Sequence, residues 1–404
     1  MTGLPIMSAG KSGQNRENLR QHNLSLVLRL LHQMGTVARS QLTSITGLNR
    51  STISDLVAEL AARGLVIESE AMQVGGVGRP SLSVATATNV VAFAVNPEID
   101  ATTIAAVTLD GQIIDRIRYP THTQPEPQKA AQIANQLITS MRKQLPVGTR
   151  IAGVGAAVPG QVRVNDGVVR FAPHLNWVEA PFGPMLSQLT GLPVSVDNDA
   201  SLATLAERTY GSAKGARHVV SLFAGSGGIG GGVIVDGLPL RGATGYAGEL
   251  GHMQISNSSE VDFSGLPGTL EALVRRDDLL EVFKLYSATD EELHFEILNA
   301  SDAAPLKVLQ SQIDALGRGI GVLATIFNPQ MVVLSGFLSS LFQFDSDRLL
   351  DVVRKSTLQS AHDSLLVRTG DLGTKAVLVG AAELAFNSLL ENPAAAPLIA
   401  AHNS

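Results

Sequence analysis

Residues 245–253 read Gly-Tyr-Ala-Gly-Glu-Leu-Gly-His-Met. The stretch offers a carboxylate, Glu249, and an imidazole, His252, among glycines that let the backbone approach closely whatever those groups face. A second carboxylate, Glu271, follows downstream. Two carboxylates and an imidazole could converge on sugar hydroxyls, which need both donors and acceptors. The same three could equally bind a metal. A lone histidine is usually structural, but this one lies among glycines beside a carboxylate, which points towards ligand contact.

Two further features lie upstream. Gly225-Ser226-Gly227-Gly228-Ile229-Gly230-Gly231-Gly232 precedes a strand and Asp236-Gly237. It reads as a glycine-rich loop able to approach a phosphate or another chain segment. It has neither the dinucleotide-binding spacing nor the P-loop lysine. Asn198-Asp199 follows the strand Val194–Val196 and precedes an alanine-rich helix, so it sits where open α/β sheets place ligands. Amide and carboxylate together suit a polyhydroxyl ligand, and the carboxylate could act as a base towards a hydroxyl. Capping of the following helix by the aspartate is an equal alternative.

Around these features the pattern alternates. Val90–Val95, Thr103–Leu109 and Gln112–Ile117 read as a β-meander turning at Asp110-Gly111, and Gln128–Gln144 as a helix. Ile151–Val158 is a buried strand ending at Pro159-Gly160. Strands alternating with helices predict a layered α/β fold.

The first 85 residues read differently. Leu24, Val27, Leu28, Leu31 and Met34 mark one buried helix face, closed by Gly35. Ser40 is a candidate N-cap for a short helix carrying Leu42 and Ile45, ended by Gly47. A third helix runs from about Arg50 to Arg63, with Ile53, Leu56, Val57 and Leu60 as its buried stripe. That leaves Arg50, Ser51, Thr52, Ser54 and Asp55 exposed at its N-terminal end, suited to phosphates and base edges in a major groove. Leu65–Ile67 and the alternation of Leu82 and Val84 predict two strands, and Gly75-Gly76-Val77-Gly78-Arg79-Pro80 between them predicts a wing tip. Arg79 could enter a minor groove or touch phosphate. The order predicts a winged helix-turn-helix. A small interaction module with a hairpin is the plainer alternative.

Composition narrows the class. The chain has 404 residues, 45% apolar and 16% charged, and no cysteine. That is a globular composition, without disulfides or thiolate metal sites. No apolar run is long enough to cross a bilayer, and nothing at the N-terminus reads as a signal peptide, so a cytoplasmic location is expected. The net charge is −6, unevenly spread: residues 1–85 hold eight basic and five acidic side chains, +3, which leaves −9 for the rest. A basic head on an acidic body suits nucleic-acid contact by the head.

Nearly the whole chain resembles the ROK family of repressors, open reading frames and sugar kinases. The residues that carry the resemblance are Asn198-Asp199, Gly237, Arg241-Gly242, Gly245 and Ala247 to Met253, while Asn23 to Pro80 looks like the winged helix of the repressor branch, which includes xylose, glucose and N-acetylglucosamine regulators. The resemblance implies an actin-like sugar-kinase fold, two α/β lobes around a cleft. It implies sugar contacts at Asn198, Asp199, Glu249, His252 and Glu271, and more distantly at Gly160. It also makes Asp199 the match of the kinase base.

Two departures stand out. Kinase members follow the first strand with an Asp-x-Gly-x-Thr-type phosphate loop; here Asn96-Pro97-Glu98-Ile99-Asp100-Ala101-Thr102 has no glycine and sets Glu98 where phosphates should lie. The second phosphate loop reads Ser226-Gly227-Gly228-Ile229-Gly230 where Gly-Thr-Gly-Ile-Gly is usual. The family's zinc-binding Cys-x-Cys-Gly-x-x-Gly-Cys-Leu-Glu reads Asp262-Phe263-Ser264-Gly265-Leu266-Pro267-Gly268-Thr269-Leu270-Glu271 here, without its thiolates. No structural zinc, no cofactor and no phosphoryl transfer are therefore expected.

The expected organisation is a DNA-binding domain over 1–85 and a ROK domain over 86–404. Lobe one would span about 86–200 plus the C-terminal helix, and lobe two about 201–375. The expected function is a sugar-responsive repressor, homodimeric or homotetrameric, binding double-stranded operator DNA and released by a sugar or sugar phosphate. The alternatives are an ATP-dependent sugar kinase with a DNA-binding appendage, and a constitutive DNA-binding protein whose body only dimerises.

Overall fold

The computed structural model describes residues 10–69, 82–121, 123–225, 227–285 and 288–398. The chain begins with helix α1 (Gly10–Met34), strand β1 (Val37–Ala38), helices α2 (Arg39–Thr46) and α3 (Arg50–Ala62), and strands β2 (Val66–Ser69) and β3 (Ser83–Thr86). Leu24, Val27, Leu28 and Leu31 of α1 are buried against Leu42 of α2 and Ile53, Leu56, Val57 and Leu60 of α3. The glycines Gly35, Gly47 and Gly64 close the three helices in the left-handed conformation that other residues avoid. Strand β3 pairs antiparallel with both β1 and β2, so the module is a helix-turn-helix backed by a three-stranded wing sheet. The wing tip, with Arg79, lies outside the described residues.

Two local expectations are corrected here. Met34 is 41% exposed, because α1 has turned past its packing face by its last residue. Helix α2 begins at Arg39, one residue before the expected serine, and its N-cap is Ala38, which makes no side-chain cap.

The first large sheet is built from β4 (Val90–Pro97), β5 (Ala101–Thr108) and β6 (Ile113–Pro120) as a meander, followed by helix α4 (Pro127–Gln144) and strand β7 (Arg150–Val158). A small antiparallel sheet, β8 (Gln161–Arg163), β9 (Val168–Ala172) and β10 (Trp177–Ala180), leads to helix α5 (Phe182–Thr190) and strand β11 (Val194–Asn198). The large sheet is ordered β11-β7-β4-β5-β6, with β7 parallel to both β4 and β11. Strands β4 and β5 are buried along almost their whole length, as their unbroken Val/Ala runs require.

The second half repeats the plan. Helix α6 (Asp199–Tyr210) precedes β12 (Val219–Gly225), β13 (Gly228–Val235) and β14 (Leu238–Pro239). Helices α7 (Leu270–Leu273), α8 (Arg276–Val282), α9 (Asp290–Leu298) and α10 (Ala303–Phe327) come next, then β15 (Met331–Gly336), α11 (Phe337–Phe344), α12 (Ser346–Ser356), α13 (Gln359–His362), β16 (Leu366–Thr369) and α14 (Ala376–Glu391). This sheet is ordered β14-β13-β12-β15-β16. In both sheets the first three strands form an antiparallel meander and the next two add in parallel on the other side of the first. This is the two-lobed, actin-like α/β architecture.

Helices α6 and α14 pack on each other and reach both sheets: α6 against β12 and β13, α14 against β4 and β7. Glycines permit this closeness. A methyl group on Gly232 would meet the Thr204 hydroxyl at 2.3 Å, and one on Gly380 would meet the Leu202 carbonyl at 1.9 Å. The glycine-rich stretch is therefore mostly strand. Gly228 to Val235 is β13, paired residue for residue with β12, and its missing side chains make room for α6 and the turn at Leu250–His252. Buried Glu207 of α6 accepts the amides of Ser212, Asp371 and Leu372, fixing the helix to the segment after β16.

The helix-turn-helix is continuous with this body. One apolar cluster joins Leu24, Leu28, Leu31 and Val84 to Val90, Ala381 and Phe386. Among the described residues no helix is long and apolar enough to cross a membrane.

Candidate functional site: a cleft behind a helix-turn-helix

At the exposed end of α3, Asn49 is the N-cap and its side-chain oxygen accepts from the Thr52 amide at 2.8 Å. Ser51 spends its hydroxyl hydrogen on the same oxygen. Arg50 and Ser51 are exposed, Thr52 and Ser54 half-buried. Arg50 has no side-chain partner among the described residues. Ser54 is engaged by Arg39, whose guanidinium also makes a two-pronged pair with Glu68. Arg39 was not anticipated from sequence, since nothing in the chain marks its pairing with a residue 29 positions on.

Several of the head's arginines are held by pairs within the head or by the body. Arg20 and Arg63 both pair with Glu59, Arg63 also donates to the Ala394 and Ala396 carbonyls, and Arg29 reaches Asn387 and Glu391. Arg29 and Arg63 thus face the body, while Arg20 and Arg39 pair inside the head.

The cleft forms where β11 ends. Asn198, its last residue, is the N-cap of α6: its oxygen accepts from the Ser201 amide at 2.9 Å and its Nδ2 donates to the Gly160 carbonyl at 3.1 Å. The capping role expected of the aspartate thus belongs to Asn198. Asp199 opens the helix, accepting from the Ala200 amide. Burial pushes its carboxyl up to about 6, and the Glu249 charge adds to the rise. Gly160 needs its lack of a side chain, because a methyl there would press on the Phe171 carbonyl and Ala172. Gly160, Asn198 and Glu249 line one cleft, with Gly245–Gly248 along its rim, whereas Asp199, His252 and Glu271 are not among its lining residues.

Burial raises the carboxyls of Glu249 and Glu271, and His252 pulls both back down. Glu249 acts on both Asp199 and Glu271, so these four side chains share one electrostatic neighbourhood. Glu271 accepts from the Ile229 amide at 2.6 Å. Gly228 leaves the space its carboxylate fills. Behind the cleft, buried Asp197 is ion-paired with Arg241, a pair 44 positions apart that no local spacing marks. Burial pushes Asp197 up against the guanidinium's opposing pull.

The first phosphate-loop position is a tight turn between β4 and β5, closed by the Glu98 amide on the Ala101 carbonyl. The Glu98 carboxylate accepts from Thr103 at 2.7 Å and from Arg118 at 3.2 Å, and Arg118 also holds Asp100. Of the second loop, Ser226 lies outside the described residues.

The stretch 262–271 bears on the metal question. His252, Asp262 and Glu271 bring donor atoms within 4.8 Å of one another. The detail does not fit the family zinc. Two ligands on a tetrahedral zinc, each at about 2.0–2.2 Å, stand roughly 3.4 Å apart. His252 Nδ1 and Asp262 Oδ2 are 2.8 Å apart, a hydrogen-bond distance with no room for an ion between them. Ser264 and Thr269 supply only hydroxyls, which are poor zinc ligands.

The chain is 26% identical over 395 residues to the xylose repressor of Caldicellulosiruptor bescii, spanning 94% of this chain and 99% of that protein. It is 30% identical over 314 residues to a glucokinase of Streptomyces coelicolor, spanning 71% of this chain and 96% of that one. It shares its fold with a crystal structure of a ROK family transcriptional regulator homologous to the Escherichia coli MLC protein, with a TM-score of 0.76 at 24% identity over 92% of this chain and 97% of that one. The ROK family pattern itself matches residues 94–388, so this chain belongs to the ROK family.

Proposed function

We propose that this protein is a sugar-responsive, DNA-binding transcriptional repressor of carbohydrate genes, acting in the cytoplasm as a homodimer or homotetramer. Residues 1–85 form the DNA-binding head and residues 86–404 the sensor body. Arg50, Ser51, Thr52, Ser54 and Arg79 meet operator DNA. Gly160, Asn198, Asp199, Glu249, His252 and Glu271 meet a sugar or sugar phosphate.

The observation that carries this reading is helix α6. It starts in the cleft at Asp199 and ends at Tyr210, whose hydroxyl donates to Glu383 and lies 3.3 Å from His32 of the helix-turn-helix. Its 12 residues make a rod about 18 Å long between the two places. A sugar that moves the start of α6 therefore loads the seat of the head, and DNA affinity changes by the sugar's differential affinity for the two arrangements. The full-length likeness to a xylose repressor supports the same reading.

The test is a titration of operator binding against D-xylose, D-glucose, N-acetylglucosamine and their phosphates. Release or tightening by one of them is expected, and indifference to all refutes the sensor claim.

A kinase reading draws on Asp199, whose raised carboxyl stands at the family's base position, and on the glucokinase likeness. The Glu98 turn weighs against it, because it presents a carboxylate already satisfied by Thr103 and Arg118 where a nucleotide's phosphates would need donors. ATP turnover with the same sugars, lost in Asp199→Asn, would reverse the choice.

A further inference from the structure

We infer that Asp262 is the positioning residue of the cleft: a buried carboxylate that holds His252 in one tautomer and orientation without a metal ion. This rests on the reading that His252 contacts the sugar.

Asp262 is a junction of donors. Its Oδ2 accepts from His252 Nδ1 at 2.8 Å and from the Thr269 hydroxyl at 2.9 Å. Its Oδ1 accepts from the Ser264 amide at 2.9 Å and the Leu266 amide at 3.0 Å. The side chain is wholly buried, whereas that of His252 is 23% exposed. A carboxylate only accepts, so the proton must sit on His252 Nδ1, leaving Nε2 for a ligand.

The same group governs Glu271. Thr269 caps α7 by accepting from the Ala272 amide, and it gives its own hydrogen to Asp262. The helix so capped carries Glu271. One carboxylate thus ties the loop 262–269 to the imidazole on one side and to the Glu271 helix on the other. Closing the loop and orienting the histidine are tasks a bound ion could perform, and four hydrogen bonds perform them here.

The experiment is long-range 1H–15N NMR of the His252 ring in the full chain, after EDTA dialysis and again with added Zn²⁺, alongside calorimetry with D-xylose, D-glucose and N-acetylglucosamine. Wild type should show the Nδ1–H tautomer, unchanged by EDTA or zinc. Asp262→Asn should lose that preference and bind the responding sugar about tenfold more weakly, as loss of a charge-assisted hydrogen bond implies. Thr269→Val, which keeps the His252 contact, should keep the tautomer. An Nε2–H tautomer in wild type, a ring signal moved by stoichiometric zinc, or an unchanged tautomer in Asp262→Asn would each overturn the inference. If Asp262→Asn does not fold, the wild-type and Thr269→Val spectra still decide it. If no sugar binds, the sensor reading fails while the tautomer result stands by itself.

Discussion

His32 of the helix-turn-helix and Glu383 of α14 are joined across the seam between head and body, with His32 Nε2 2.9 Å from the Glu383 carboxylate. The other ring nitrogen lies 2.6 Å from the Leu109 carbonyl, and Tyr210 donates to the second Glu383 oxygen. An imidazole facing acceptors on both sides is best served by two protons. Burial by itself pushes the His32 pKa down, but the charge and hydrogen bond of Glu383 outweigh it and the net direction is up.

That direction sets a pH dependence. A histidine raised on folding adds stability that is complete below its unfolded pKa of about 6.5 and is lost as pH climbs through the higher folded value. Thermal melts from pH 6 to 9 should show a decline that His32→Gln removes. His32→Ala should cost about 3 kcal/mol, since it strands a buried carboxylate. A pH-independent wild-type melting temperature over that range would show that the pair does not hold the seam.

Arg50 stands at the exposed start of α3 with no partner among the described residues, unlike Arg20, Arg39 and Arg63. Arg50→Ala should weaken operator binding about tenfold and flatten its salt dependence, with sugar binding unchanged. Gel-shift titrations at two salt concentrations read both effects.

Asn198 serves two partners that can be separated. Asn198→Asp keeps an oxygen for the Ser201 amide but loses the donor to the Gly160 carbonyl. Aspartate caps helices as well as asparagine does, so the melting temperature should hardly move while sugar affinity falls. Asn198→Ala should lose about 1 kcal/mol of stability as well. Calorimetry and thermal denaturation on the two variants distinguish them.

Asp199, with its carboxyl pushed up to about 6, is stabilised in its neutral form in the free protein. Its contribution to stability is therefore present at low pH and is lost as pH rises through about 6. A sugar hydroxyl that donates to the ionised carboxylate reverses that preference, so sugar binding should tighten from pH 5 to pH 7. In Asp199→Asn the affinity should be weak and flat with pH.

Gly251 sits under the β13 backbone, where an added methyl would meet the Ile229 carbonyl at 2.1 Å. Backbone cannot yield as a side-chain tip can, so Gly251→Ala should destabilise by about 1–3 kcal/mol and displace its neighbour His252. Urea denaturation measures the first effect, and weakened sugar response the second.

The sequence alone determined whatever depends on neighbours along the chain. The 3–4-residue spacing of Leu24 to Leu31 and of Ile53 to Leu60 specified the helices of the head, and the closing glycines at 35, 47 and 64 specified where they stop. The apolar runs at 90–95 and 103–109 specified buried strands. The glycines of 225–232 left two readings open, because a chain without side chains looks the same whether it leaves room for a phosphate or for a packed helix. Only the tertiary structure decided that α6 fills that room, that Asn198 rather than Asp199 caps it, and that Arg29 and Arg63 of the head reach the body. It also decided that His32, Tyr210 and Glu383, up to 351 positions apart, meet at one seam. Burial and pairing of this kind arise from surfaces brought together across the whole fold, and no local spacing records them.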